Sequence, residues 1–460
     1  MEGISNGQTD EELANVFTTL CTSLGIQNHN VCSGAVALNV VKPLTIAIIT
    51  DAHLDPLYEA YGVADCDEPT CCRVGQSIVD NNGNLSLDLT GYWGDYRNCD
   101  SPVWAFDDVV ERIAETHKNI DVVYYIGDTI DHGVWETSYE LINDMNKYLV
   151  DKIRSSFGDD VLVVPVIGNH ESQPTNQFAP SSVKEPYLNT TWLYDALAEK
   201  WGFYLTDTAK ETLKDRGEFS LLVRPGLRVI TLNNNVAYKT NWWLVYDPSD
   251  AKRHLDWLVE ELYKAEQAGE KVHILAHIPP GVHDLTHTWT REYNKIVNRF
   301  SSTIVAEFNG HTHSDEFKIF YNDEGTPINV AWGGGSATSY TFYNLNYKIE
   351  PVNIVNYAYN LTEANLTPNR RPHWFQLYDM KNTFGIVDLT ATSMDNLVRR
   401  MVTTNKELLD MYAAFYSKLS DSRWPYCNTD CKLNNLCKTV VTVLWERQKC
   451  TELRNLYDQY

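Results

Sequence analysis

Asp51-Ala52-His53, Gly127-Asp128, Gly168-Asn169-His170-Glu171, His277 and Gly310-His311-Thr312-His313 gather, in five short clusters, the oxygen and imidazole side chains that bind divalent metal ions. An isolated Asp-x-His is common and carries little meaning. A Gly-Asn-His-Glu that closes an apolar run says more, because the run's β-propensity is wasted unless the loop after it is used. Five such clusters in one chain point to a metal site. Two divalent ions held about 3.5–4 Å apart can share a carboxylate and a water, lower the pKa of that water, and clamp the oxygens of a phosphoryl group during in-line displacement.

The segments before the clusters must position them, and each is a short apolar run that reads as a buried strand: Thr45 to Thr50, Val122 to Ile126, Val161 to Ile167, Lys271 to Ala276 and Thr303 to Phe308. The ligand types therefore fall at strand ends, where α/β enzymes build their sites. A helix over Leu255 to Ala268 stands between strands in βαβ fashion. Three regions separate. Residues 1–41 form a short helical segment with Leu13, Val16, Phe17, Leu20 and Leu24 at helical spacing, residues 42–389 alternate strands and helices, and residues 390–460 turn helical, including Asn396 to Tyr416, before a cysteine-rich tail. There is no internal repeat and no low-complexity tract.

The order Asp-x-His, Gly-Asp, Gly-Asn-His-Glu, His, Gly-His-x-His resembles that of the calcineurin-like metallophosphoesterases. The stretches 168–178, 271–281, 310–317, Ser336-Ala337-Thr338-Ser339-Tyr340 and 360–367 resemble the acid sphingomyelinase branch of that family, from about Leu44 to the C-terminus. This resemblance implies an α/β fold, the metallophosphoesterase four-layer β-sandwich flanked by helices, with a C-terminal helical, disulfide-stapled subdomain. It implies one metal on Asp51, His53 and His313 and a second on Asn169, His277 and His311, with Asp128 bridging the two. The imidazole-rich set favours Zn2+ over magnesium or calcium. His170, beside Asn169, matches the histidine that protonates the leaving-group oxygen in the family. His132 matches one that orients or hydrogen-bonds near the phosphate, with a purely structural role as the alternative. His117, His254 and His273 read as packing or surface residues, whereas His283 and His287 lie on a loop that could overhang the site.

The chain has 460 residues, 43% of them hydrophobic and 12% aromatic, which is ample for a core of more than one ordinary domain. Its formal charge of −23 argues against nucleic acid as a partner and against a purely electrostatic hold on anionic lipid. Ten cysteines, none beside the metal motifs, suit disulfides better than a zinc ribbon. The resemblance pairs Cys66 with Cys71, Cys72 with Cys99, Cys427 with Cys431 and Cys437 with Cys450, which leaves Cys21 and Cys32 for each other. Asn84, Asn189, Asn360 and Asn365 stand in glycosylation sequons, so the expected setting is secreted or lysosomal. The start, Met1-Glu2-Gly3-Ile4, has neither a basic nor an apolar signal region, as expected if a signal peptide has been removed or replaced. No apolar stretch approaches the about 20 residues needed to cross a bilayer.

Two substrates follow from the resemblance. The first is sphingomyelin at a membrane surface, hydrolysed to ceramide and phosphocholine by water activated between two divalent ions, with Tyr340 as a choline contact through its ring. The second is a soluble nucleotide or CDP-choline, as in the acid sphingomyelinase-like relatives that lack a complete saposin domain. Only Leu20-Cys21 through Val31-Cys32 resembles the saposin-type domain here. A monomer is expected.

Overall fold

In the computed structural model, residues 43–76, 88–350 and 352–460 are described. The N-terminal helical segment, the Cys21 and Cys32 pair and the Asn84 sequon lie outside the described residues.

Apolar runs of four to six residues fold as strands β1 (Ile46–Ile49), β4 (Val122–Tyr125), β5 (Leu162–Pro165), β8 (Lys271–Ala276) and β9 (Ile304–Asn309). They are buried over almost their whole length, as parallel strands covered on both faces must be. Each of the five anticipated runs has become a strand. The two-residue strands β2 (Leu54–Asp55) and β3 (Ser101–Pro102) form a small separate pair.

The first large sheet has the order β14-β13-β12-β1-β4-β5, in which β1, β4 and β5 are parallel and β12 (Asn346–Glu350), β13 (Val355–Tyr359) and β14 (Trp374–Asp379) add an antiparallel edge. The second has the order β10-β11-β9-β8-β7-β6. Within it β7 (Leu227–Leu232), β8, β9 and β11 (Pro327–Gly333) are parallel, and β6 (Phe219–Arg224) and β10 (Phe317–Tyr321) form antiparallel edges. The inner faces meet: the rings of Tyr124 and Phe308 lie 5.4 Å apart, and the Tyr124 hydroxyl lies 3.0 Å from His273 Nδ1 across the interface. The result is the β-sandwich flanked by helices that was expected.

Helix Asp250–Ala268 extends five residues beyond the expected start and packs on β7 and β8. The C-terminal helices do not run unbroken from Asn396 to Tyr416. Ala391–Val402 and Glu407–Tyr416 are separate, and the break at Thr403-Thr404-Asn405 falls among poor helix formers. Residues Leu44–Tyr460 form one compact unit, with the Ala391–Val402 helix against β11 and β10. Four disulfides join Cys66 to Cys71, Cys72 to Cys99, Cys427 to Cys431 and Cys437 to Cys450.

Candidate metal centre

The loops after five parallel strands converge where the two sheets meet. Asp51 and His53 follow β1, Asp128 follows β4 and Asn169 follows β5, while His277 follows β8 and His311 and His313 follow β9. Glycine precedes three of these ligand types because the loops pack too closely for any other residue. A Cβ at Gly168 would fall 2.1 Å from Asp128 Oδ1, and one at Gly310 would fall 2.2 Å from Thr50 Oγ1. Five of the seven anticipated ligands, Asp51, His53, Asp128, His311 and His313, hold the left-handed backbone conformation, with φ between 38° and 69°. Strain of that kind costs on the order of 1–3 kcal/mol per residue and concentrates where function over-determines the chain.

The side chains form two groups capable of holding an ion: Asp51, His53 and His313, and Asp128, His277 and His311. Asp128 Oδ2 lies between them, 3.5 Å from His53 Nε2 and 2.9 Å from His277 Nε2. Asn169 Oδ1 lies 3.0 Å from His311 Nδ1 and so joins the second group.

The outer nitrogen of each ring fixes which atom faces inward. His53 Nδ1 donates to Ile130 O at 2.8 Å, His277 Nδ1 to Ile126 O at 2.7 Å, and His311 Nε2 to the Asp284 carboxylate at 3.2 Å. In the neutral rings the inner atoms are therefore lone pairs that face other acceptors. His53 Nε2 lies 3.1 Å from His313 Nε2, His311 Nδ1 faces the Asn169 oxygen, and the fully buried His277 Nε2 faces Asp128 Oδ2 at 2.9 Å. Lone pairs opposed at such distances repel unless a cation stands among them, so the residues present fit two divalent ions.

The electrostatics agree. Burial opposes a charge on His53, yet Asp51, Asp128 and Asp100 push its imidazole up to about 9. His277 is likewise pushed up to about 9 by Asp128 and Asp51 against its burial. Burial also opposes the charge of Asp128, but His277 and His170 hold its carboxyl well below the usual carboxylate range. The site attracts positive charge from every side.

His170 adjoins this centre, its ring edge-on to His53 at 4.7 Å. Its backbone N–H donates to Asp128 Oδ1 at 2.9 Å, and its Nδ1 lies 3.1 Å from Asp131 O, which leaves Nε2 as the nitrogen without a protein carbonyl. Burial pushes its pKa down to about 4. His132 stacks on His53, centroids 4.1 Å apart, and on Tyr340 at 3.7 Å. His53, His132 and His170 form a third convergent group.

Several participants were not anticipated. Asp100 binds both the Nδ1 of His132, at 2.8 Å, and its backbone N–H, at 2.6 Å. Glu171 Oε2 accepts from Gly168 N and Asp128 N and so holds two ligand loops together. Asp284 anchors His311. Only Glu171 lies inside a motif; Asp100 and Asp284 sit in loops with no pattern of their own.

Of the remaining histidines, His254 is buried against Glu218, His273 packs in the sandwich and His117 lies against Tyr347 and Tyr357. His283 lies against Trp445 beside the site, and His287 begins the His287–Arg299 helix. Asn189, Asn360 and Asn365 are all partly exposed, and the amide nitrogen of each donates to a neighbour, Glu185 O, Asp421 and Gly94 O respectively.

Residues 44–315 match the calcineurin-like phosphoesterase family, and residues 333–453 match the acid sphingomyelin phosphodiesterase C-terminal region. Sphingomyelin phosphodiesterase 1 of Caenorhabditis elegans is 34% identical over 87% of this chain and 70% of its own. Sphingomyelin phosphodiesterase of Homo sapiens is 36% identical over 85% of this chain and 62% of its own. Acid sphingomyelinase-like phosphodiesterase 3b of Homo sapiens is 28% identical over 85% of this chain and 86% of its own. The chain thus spans 62–70% of the length of these two sphingomyelin phosphodiesterases.

Proposed function

Because the chain belongs to the calcineurin-like phosphoesterase family and carries the acid sphingomyelin phosphodiesterase C-terminal region, we propose that it is a metal-dependent phosphodiesterase that hydrolyses sphingomyelin to ceramide and phosphocholine. The single observation that supports this most is the paired set of inward lone pairs around Asp128, completed by His170 and His132 beside it.

In this reading Asp51, His53, His313 and Asp128 would hold one ion and Asp128, Asn169, His277 and His311 the other. Zn2+ suits the four imidazoles best. When bound, the ions would supply positive charge for the phosphodiester and lower the pKa of a coordinated water. Water adds to phosphorus as the bond to the primary oxygen of ceramide breaks. His170, charged once the anionic phosphodiester is bound beside it, delivers the proton from Nε2 to that oxygen, its ring orientation set by the carbonyl of Asp131. His132 orients a phosphate oxygen, and its own orientation comes from Asp100 and from the Tyr340 ring. The face of that ring turned away from His132 receives the choline cation. Disulfides and partly exposed sequons at Asn189 and Asn360 support a glycoprotein in a secreted or lysosomal setting. No helix of the described residues is long and apolar enough to cross a membrane.

A nucleotide or CDP-choline phosphodiesterase is the second reading, favoured by the 86% of the sphingomyelinase-like relative that the chain spans. The higher identity to the sphingomyelin phosphodiesterases favours the first. The deciding measurement is product release at mildly acid pH, with and without chelator, from sphingomyelin in mixed micelles and in liposomes, against ATP and CDP-choline. Chelator-sensitive phosphocholine release from sphingomyelin is expected. Turnover of the nucleotides alone would overturn the lipid reading.

A further inference from the structure

We propose that the segment Trp242–Tyr246 is an interfacial anchor that inserts into the surface of a choline-phospholipid bilayer and so brings the metal centre to its lipid. The inference rests on the sphingomyelin reading above. Apolar residues of a folded chain are normally covered, yet the four-residue helix Trp243–Tyr246 has no buried residue. Trp242 is 76% exposed, Val245 85% and Tyr246 67%. Trp and Tyr rings with one polar edge are the side chains that settle at the boundary between headgroups and acyl chains.

The tip is not a loose loop. Gln177 accepts from Trp242 N at 3.0 Å and donates to Thr240 O at 2.8 Å, and Asn241 is buried with bonds to Phe178 and Val236. These ties matter because Gln177 belongs to the loop that follows Asn169, and Lys239 N donates to the carbonyl of Asp284, the residue that holds His311. The ring of Tyr238 lies 5.8 Å from that of His311. The tip is thus fastened to the rim of the candidate metal centre by a few residues.

Charge selects the partner. The chain carries −23, but from Lys239 to Tyr246 there is one cation and no anion, an acid-free window on an acidic surface. Electrostatics alone would keep the rest of the molecule off anionic lipid, so attachment must come from apolar insertion at a zwitterionic surface. On its other side the tip continues, through Leu244, into a groove of about 940 Å³ between helices Asp250–Ala268 and His287–Arg299, where the exposed Val259 and Tyr263 stand among Lys252, Asp256, Glu292 and Lys295.

The test compares the full chain with a Trp242→Ser/Val245→Ser/Tyr246→Ser variant. All three residues are exposed, and circular dichroism checks that the variant is folded. Flotation with phosphatidylcholine vesicles that contain sphingomyelin, at mildly acid pH, is expected to fall roughly tenfold or more in the variant, given the apolar area withdrawn from the bilayer. Hydrolysis of the vesicle-borne sphingomyelin should fall in parallel, while hydrolysis of short-chain, monomeric sphingomyelin stays within about twofold of the parent, since the anchor touches no reacting group. Unchanged flotation overturns the proposal. So does an equal loss on the monomeric substrate, which would place the tip in the site itself, or a parent dimer that dissociates in the variant while vesicle binding persists. If neither form cleaves sphingomyelin but flotation still depends on the tip, the activity reading fails and the anchor stands.

Discussion

The ring of His132 lies flat on that of Tyr340, centroids 3.7 Å apart and planes 9° from parallel, while its Nδ1 is bound by Asp100 at 2.8 Å. Stacking fixes the plane of the imidazole and the carboxylate fixes its rotation within that plane, so together they determine where Nε2 points. Both constraints come from far along the chain: Asp100 adjoins the Cys72–Cys99 disulfide, and Tyr340 sits in the loop between β11 and β12.

Removing the stack should therefore act on turnover rather than on metal content. Tyr340→Ala is expected to lower kcat several-fold, consistent with the about 0.5–1.5 kcal/mol of an aromatic pair. Tyr340→Phe, which keeps the ring, should retain most of the activity. Metal content measured by atomic emission should be equal in all three proteins; a loss of metal in Tyr340→Ala would mean that the ring supports the ligands instead.

Asp100→Asn tests the other constraint. An amide can still touch the ring but does not hold Nδ1 as a charge-assisted acceptor, so kcat should fall by about tenfold or more, as typical for a residue that orients a functional histidine. The double variant with Tyr340→Ala should lose less than the product of the two single effects, because both act through His132. Fully multiplicative losses would show that they act independently.

His170→Ala removes a proton donor without removing a ligand. Turnover should drop by roughly 10²–10⁴-fold while two ions remain bound. His277→Ala should do the opposite and lose metal, because its fully buried inward Nε2 faces Asp128 Oδ2 at 2.9 Å, where an ion would be shared. Metal analysis of the two variants side by side separates the roles, and near-full activity in His170→Ala would remove it as the acid.

The sequence made the candidate ligands legible because each follows an apolar run that could only be a buried strand, and strand ends of an α/β sandwich are where loops converge. The four described disulfides were read from resemblance and not from any local pattern. What stayed hidden were residues whose function depends on tertiary approach alone. Asp100 and Asp284 carry no spacing signature, since each meets its histidine across a loop rather than along a strand. The left-handed backbone at Asp51, His53, Asp128, His311 and His313 was equally illegible, because aspartate and histidine do not announce positive φ as glycine does. The break between the two C-terminal helices was obscured by apolar residues that keep helical spacing across it.

Glu307 should contribute a stability that favours acid pH. It sits in β9, 1% exposed, where Tyr293 donates to one oxygen at 2.8 Å and Asn329 to the other at 3.0 Å. Burial pushes its pKa from the ordinary 4.5 up to about 8. Between those values the folded chain keeps a proton that the unfolded chain has released, so stability is greatest below about pH 4.5 for this group and declines as pH rises toward 8, by up to roughly 1.4 kcal/mol per unit. Glu307→Gln keeps an uncharged side chain of the same shape and loses that dependence. Calorimetric melting of the two proteins from pH 5 to pH 8 should therefore give curves that converge on the acid side and separate on the neutral side, with the variant higher. Parallel curves would mean that Glu307 is already ionised in the folded chain and that the acid preference has another source.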